Sequence, residues 1–276
     1  MRLEGIVMKK TLLLVVLGLL AGCATGPVID HTYTAKSQDS RVQFLILHYT
    51  AGHFPGSLKT LVEGPVSSHY LVNDNPPTIY QLVDENRRSY HAGISYWKGN
   101  SALNAASVGI EIVGLGYVNT PEGRVWPEYP KAQMDAVIEL SKKIIREHNI
   151  RPDRVLGHSD IAPTRKTDPG PRFPWKRFAE EGLIPWPDEV LVAERKLVYE
   201  QELPDVEWFQ VMLERHGFAV PRNGEYDEVT KSVIGAFQMK YRPSKFDGEM
   251  DAETAALLDV IVARPLGMLK LLPSLN

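Results

Sequence analysis

The sequence predicts an α/β protein: a central mixed β-sheet flanked by helices, followed by a small C-terminal domain of three helices. Apolar runs of strand length recur between residues 42 and 157. One long stretch with 3,4 apolar spacing interrupts them, the pattern of a sheet covered by helices. Beyond residue 204 the strand signals stop and three amphipathic stretches follow one another.

The chain has 276 residues, 43% hydrophobic and 24% charged. These values lie near globular averages and exclude a disordered or fibrous protein. A net charge of −3 carries no basic excess, so nucleic acid is not an expected partner. The single cysteine, Cys23, excludes an intramolecular disulfide.

Residues 1–22 read as an export leader. Lys9 and Lys10 precede an apolar run from Leu12 to Ala21, about half the ~20 residues a spanning helix needs. Glu4 is out of place in a positive leader, and a start at Met8 removes it. Leu20-Ala21-Gly22-Cys23 resembles a bacterial lipobox, which implies cleavage before Cys23 and its lipidation. Several acyl chains make membrane anchoring stable, and Ala24 rather than aspartate after the cysteine implies the outer membrane, facing the periplasm. Removing the leader leaves 254 residues and a net charge of −5, so the anchor depends on acyl chains and not on attraction to anionic lipid. Residues 23–41 are polar and turn-rich and read as the lipidated cysteine and its tether, with a flexible reach on the order of 25 Å.

Val42 to Tyr49 is the clearest strand, with Phe44 to Leu47 continuously apolar as in a strand buried on both faces. His48 closes that run and by period-2 alternation shares a face with Val42, Phe44 and Ile46. Thr78 to Val83 and Ser107 to Val113 are strand-like, the second carrying Glu111 among Val108, Ile110, Ile112 and Val113. Pro130 to His148 reads as a helix, capped by Asn149 and barred from continuing by Pro152. A short strand, Arg154 to Gly157, precedes a Pro-rich segment that ends near Trp175, and Pro185-Trp186-Pro187 closes the region, so a first folded domain spans 42–187. A linker is expected from there to about Pro204. Helices at Asp205 to His216, Asp227 to Tyr241 and Asp251 to Ala263 then form a second domain over 204–263.

His48 and His158 each stand at the end of a strand, and Asp168 lies on the Pro/Gly loop that follows. Ligands of open α/β sheets collect beyond strand ends. Two imidazoles and one carboxylate, with a position left for water, are a donor set of catalytic zinc. Read singly, each has an ordinary alternative: strand-end histidines are commonly hydrogen-bonded structural residues, and aspartate before proline is a turn former. Asp160 is a rival ligand to Asp168, or a carboxylate that orders the loop. Glu111 could face away from any site, although an unpaired charge among apolar neighbours is costly. Lys166 could be a solvated loop lysine.

The block GHSDIAPTRKTDPGPRFPW at 157–175 resembles the zinc-dependent N-acetylmuramoyl-L-alanine amidases of type 2, a family that includes the peptidoglycan recognition proteins. LILHYTA at 45–51, SYHAGIS at 89–95 and LNAASVGIEI at 103–112 agree in the same order. The lipobox and the helical tail are similar to those of the family's outer-membrane lipoproteins. The resemblance implies zinc held by His48, His158 and Asp168, with Glu111 as catalytic acid/base and Lys166 stabilising the transition state. Lys166 lies two residues before Asp168, so in an extended loop both side chains face the same way. The resemblance further implies hydrolysis of the bond between N-acetylmuramic acid and L-alanine, with peptidoglycan or muropeptides as substrate and a monomeric enzyme. A non-catalytic recognition protein and a zinc peptidase acting within the stem peptide are the alternatives. His91 and Asn104 are candidate substrate-binding residues and His69 a structural one. Muropeptide-processing relatives carry an arginine two positions before this asparagine, where this chain has Ala102. The helical tail resembles a peptidoglycan-binding module, chiefly through Phe237-Gln238 and Asp247 to Asp251. A helical cap packed on the first domain is its alternative.

Overall fold

A computed structural model describes residues 27, 29–121 and 123–263; the leader and Cys23 lie outside the described residues. Residues 29–41 contain neither helix nor strand. From there the chain runs through β1 (Phe44–Tyr49), α1 (Phe54–Glu63), β2 (Tyr70–Val72), β3 (Ile79–Gln81), α2 (Leu103–Ala106), β4 (Ser107–Ile112), and a hairpin of β5 (Val118–Thr120) with β6 (Gly123–Val125). It continues through α3 (Lys131–His148), a 3-10 turn (Pro152–Arg154), β7 (Val155–Gly157), α4 (His158–Ile161), α5 (Trp175–Glu180) and α6 (Glu189–Tyr199). The last helices are α7 (Val206–His216), α8 (Glu228–Tyr241) and α9 (Ala252–Ala263).

The strands form a mixed sheet in the order β3-β2-β4-β1-β7. β2, β4, β1 and β7 are parallel, and β3 is antiparallel at one edge. One face is a conventional core. Leu45 and Leu47 of β1 and Val108, Ile110 and Ile112 of β4 pack there with Val137, Ile138 and Ile144 of α3. α3 ends as its sequence requires, with Asn149 in the left-handed region (φ 53°) and its N–H on the carbonyl of Ile145.

The opposite face is covered in two pieces. α1 packs over β2 and β3 through Leu61, Leu71 and Val113. Its first turn contains Pro55, which costs no hydrogen bond at that position. Phe44, Ile46 and Leu156 are covered by the C-terminal helices, through Phe209, Leu213, Phe237, Tyr241 and Leu258, in one continuous hydrophobic cluster. Val42 does not share the His48 face. It packs with Leu45 and Leu47, because the pleat begins at Phe44 and alternation does not extend back past Gln43.

The expected linker after Pro187 contains helix α6. Asp188 caps it by accepting from the N–H groups of Val190 and Leu191. Tyr199 at its end donates to Asp259 of α9 at 3.0 Å.

Candidate active site

Parallel pairing sets the site. In the β1–β4 register His48 stands opposite Glu111. In the β1–β7 register Leu47 stands opposite Gly157, so His158 follows beside His48. Glu111, His48 and His158 thus form a row across neighbouring strands at their C-terminal ends, where α/β sheets bind ligands. β4 alternates: Val108, Ile110 and Ile112 enter the core, and Ser107, Gly109 and Glu111 face the site, paired with Phe44, Ile46 and His48. The apolar sequence neighbours of Glu111 therefore point away from it.

Asp168 reaches the same point from the loop after α4. His48 Nδ1, His158 Nδ1 and Asp168 Oδ2 lie 3.0 Å from one another, and all three residues are buried. Tetrahedral coordination with bonds of ~2.0–2.1 Å has ligand–ligand edges of roughly 3.3 Å, so the triangle fits one ion. Asp160, the rival ligand, turns away: its Oδ2 accepts from Gly157 N–H at 2.8 Å and from Lys240 Nζ at 2.7 Å.

Hydrogen bonding on the far side of each imidazole determines which nitrogen is free. His158 Nε2 lies 3.1 Å from the carbonyl of Ala92, which can only accept. Nε2 therefore carries the proton, and the Nδ1 lone pair points at the cluster. For His48 the same result comes through a chain. Ser107 Oγ–H donates to the carbonyl of Leu103, so Ser107 Oγ accepts from His91 Nε2–H at 3.1 Å. His91 Nδ1 is then an acceptor, taking His48 Nε2–H at 2.9 Å. Such outer partners orient metal-binding histidines and raise their basicity.

Burial, reinforced by the neighbouring His158, pulls the His48 pKa down to about 4 against the opposing pull of Asp168. Burial, with His48 next to it, likewise keeps His91 well below the ordinary histidine range. Burial alone would raise Asp168, but its close contacts with the imidazoles of His158 and His48 overcome it and hold the carboxyl below its usual range. At neutral pH His48 is therefore a neutral imidazole and Asp168 a carboxylate. Glu111 is pushed the other way, well above the usual carboxylate range, by burial and then by the charge of Asp168, with Lys166 opposing. Among the described residues nothing hydrogen-bonds its buried Oε2.

Glu111, His158, Lys166 and Asp168 line one cavity of about 450 Å³, together with Tyr49, His53 and Tyr90. His91 borders the same cavity, but both its ring nitrogens are engaged within the protein. Asn104 is committed to the backbone: its Oδ1 accepts from the N–H groups of His91 and Ala92. His69 joins neighbouring segments, accepting from Gly109 N–H and lying 3.0 Å from the carbonyl of Arg87.

Sequence reasoning passed over Ser107, Gly109 and Arg165. The guanidinium of Arg165 donates to the carbonyls of Ala92 and Ile94, clamping the loop that contacts His158. Gly157 allows the Asp168 loop to close over β7, since a Cβ there would lie 2.6 Å from Pro169.

Three donors converging on one point beside a half-buried acid whose Oε2 has no hydrogen bond among the described residues, at a cavity, define a site that can hold a metal ion in a hydrolase. Residues 38–171 match the family model described as N-acetylmuramoyl-L-alanine amidase, and 202–258 match a putative peptidoglycan binding domain. The chain is 39% identical over 261 residues to N-acetylmuramoyl-L-alanine amidase AmiD of Escherichia coli, covering 89% of this chain and 94% of that protein. The structure of AmiD in complex with the substrate anhydro-N-acetylmuramic acid-L-Ala-D-gamma-Glu-L-Lys superposes with a TM-score of 0.76 at 38% identity, over 86% of this chain and 95% of that one. AmpDh3 of Pseudomonas aeruginosa gives a TM-score of 0.79 at 36% identity, over 86% and 98%. The chain belongs to the N-acetylmuramoyl-L-alanine amidase family.

Proposed function

We propose that the protein is a zinc enzyme that hydrolyses the amide between the lactyl group of N-acetylmuramic acid, or its anhydro form, and L-alanine of the peptidoglycan stem peptide. The observation that carries this reading is the convergence of His48 Nδ1, His158 Nδ1 and Asp168 Oδ2 at 3.0 Å, with both outer ring nitrogens committed. Nitrogen and carboxylate donors of this kind suit zinc. When bound, the ion supplies Lewis-acid polarisation and brings the pKa of water to roughly 7.

The remaining steps belong to side chains. Glu111 Oε2, which has no hydrogen bond among the described residues, takes the proton of the attacking water and returns it to the departing amine. A cation in the triangle favours its ionised form, as Lys166 already does. Lys166 lines the same cavity and donates to the carbonyl oxygen as negative charge develops there. His91 and Asn104 act from behind the site, holding His48 and the 91–94 loop. The substrate named for the AmiD complex supports the choice of bond.

The wider reading keeps Cys23 as a lipidated residue anchoring a monomeric enzyme in the outer membrane on the periplasmic side. The lipobox and Ala24 support it. No helix among the described residues is long and apolar enough to cross a membrane.

Digestion of purified sacculi and of anhydro-muropeptides, with and without a chelator, tests the proposal by mass spectrometry. Free stem peptides beginning at L-alanine, lost on chelation and restored by zinc, are expected. Cuts within the peptide would replace the amidase with a peptidase using the same metal. Binding without cleavage would reduce the protein to recognition and overturn the roles of Glu111 and Lys166.

A further inference from the structure

The C-terminal helices send one charged side chain into the first domain. Lys240, near the end of α8, is 4% exposed at its side chain and lies 2.7 Å from Oδ2 of Asp160, which is 2% exposed. Its ammonium also donates to the carbonyl of Val155 at 3.3 Å and stands 4.2 Å above the ring of Trp175. Trp175 also lies against Gly157, where a Cβ would come within 3.2 Å of the ring. The same Oδ2 that takes Lys240 accepts from Gly157 N–H at 2.8 Å. Gly157 immediately precedes His158, and Asp160 sits in the single turn, α4, that His158 begins.

From these contacts we infer that Lys240 is a positioning residue for the metal site: it pins the segment 155–160 and so holds His158 Nδ1 in the ligand triangle. The inference rests on the metal reading above. It gives the C-terminal helices a role distinct from contact with glycan. A buried carboxylate keeps one geometry only while its counter-charge stays in place, because an uncompensated charge in the interior reorganises or draws in water. Without Lys240, Asp160 has reason to leave Gly157 and move toward solvent. The backbone that carries His158 then loses its brace from Asp160, while the β7 ladder and the bond from Ser159 N–H to the Asp168 carbonyl remain. The triangle tolerates little movement, since its edges are already 3.0 Å.

The test compares zinc dissociation constants of the full chain by competition with a chromophoric chelator, at a temperature where circular dichroism shows each protein folded. Lys240→Met removes the brace and strands Asp160. Lys240→Met combined with Asp160→Leu removes both charges together with the acceptor for Gly157, which restores stability if the single variant folds poorly because no buried charge is left stranded. Zinc affinity is expected to fall about tenfold or more in both, within the range typical of residues that orient ligands, while the melting temperature recovers in the double variant. Affinity that recovers together with the melting temperature, or that never changes, would reduce Lys240 to a packing residue and overturn the proposal. A wild-type protein that takes up no zinc would overturn the metal reading and this proposal with it.

Discussion

Gly109 faces the site from the middle of β4, and the ring of His91 lies directly on it. A Cβ added there would fall 2.6 Å from Cγ and Nδ1 of that ring and 2.8 Å from Cδ2. Ordinary carbon contact is ~3.5 Å, so the ring in Gly109→Ala must retreat by about 0.9 Å. Both partners of His91, His48 Nε2 at 2.9 Å and Ser107 Oγ at 3.1 Å, belong to strands of the sheet. Moving the ring off the sheet lengthens both bonds past useful hydrogen-bond distance. His48 then has no acceptor for Nε2–H, and its tautomer and orientation are no longer imposed. The expected loss is about 10- to 100-fold in zinc affinity, or roughly 1.4–2.7 kcal/mol. The crowding itself costs about 1–3 kcal/mol of stability. Chelator competition reads the first quantity and urea unfolding the second. Adding His91→Ala to Gly109→Ala makes room for the methyl, so stability should partly return while zinc affinity stays low. A Gly109→Ala protein that folds and binds zinc as tightly as wild type would refute the hydrogen-bond chain as the device that orients His48.

Replacing Glu111 with glutamine should lower kcat by about 10²–10⁴ while zinc affinity holds, because it removes a proton carrier and no ligand; turnover and metal content together check this. Lys166→Met should lower kcat by about 10²–10³, with metal content again unchanged. His216 packs against Trp97, Phe218, Phe237 and Tyr241, and burial pulls its pKa from 6.5 down to about 3. The folded state therefore refuses a proton that the unfolded state binds, so this residue's contribution is complete above pH 6.5 and erodes as the pH falls toward 3. Between pH 6.5 and 5 that erosion amounts to about 1–2 kcal/mol for a partly screened ring. His216→Phe should flatten acid destabilisation by that amount, read from urea midpoints at about pH 7.5 and 5.

The zinc ligands proposed here were legible because strand ends are legible. Phe44 to Leu47 marks a buried strand with His48 at its end, and the Gly157 block supplies the other two groups by resemblance. The row of Glu111, His48 and His158 was not legible, since it depends on strand order and register, which a single sequence does not specify. α1 was hidden by its own first turn, where proline and glycine imitate a loop. The supporting chain escaped for another reason. Ser107, His91 and the carbonyl of Leu103 meet only after the 89–95 loop folds back over β4, and serine at the start of a strand carries no signal of its own.

Lys240 is an intermediate case, and it shows what a helical pattern can and cannot say. It lies three residues after Phe237 and seven after Val233, on the same stripe that sequence periodicity assigns to the interior of α8. A lysine in that stripe either extends its ammonium past the apolar surface to water or meets a buried counter-charge. Helix periodicity raises that question and stops there. The answer comes from the fold: the hydrophobic cluster joins Phe237 and Tyr241 to Leu156 and Ile161, which brings the lysine onto the turn that carries His158. A helical domain bound only through its apolar face could slide on the sheet with little loss. The ion pair of Lys240 with Asp160, tied to the residue before a proposed metal ligand, fixes the register of the C-terminal helices on the sheet and couples it to the geometry of the site.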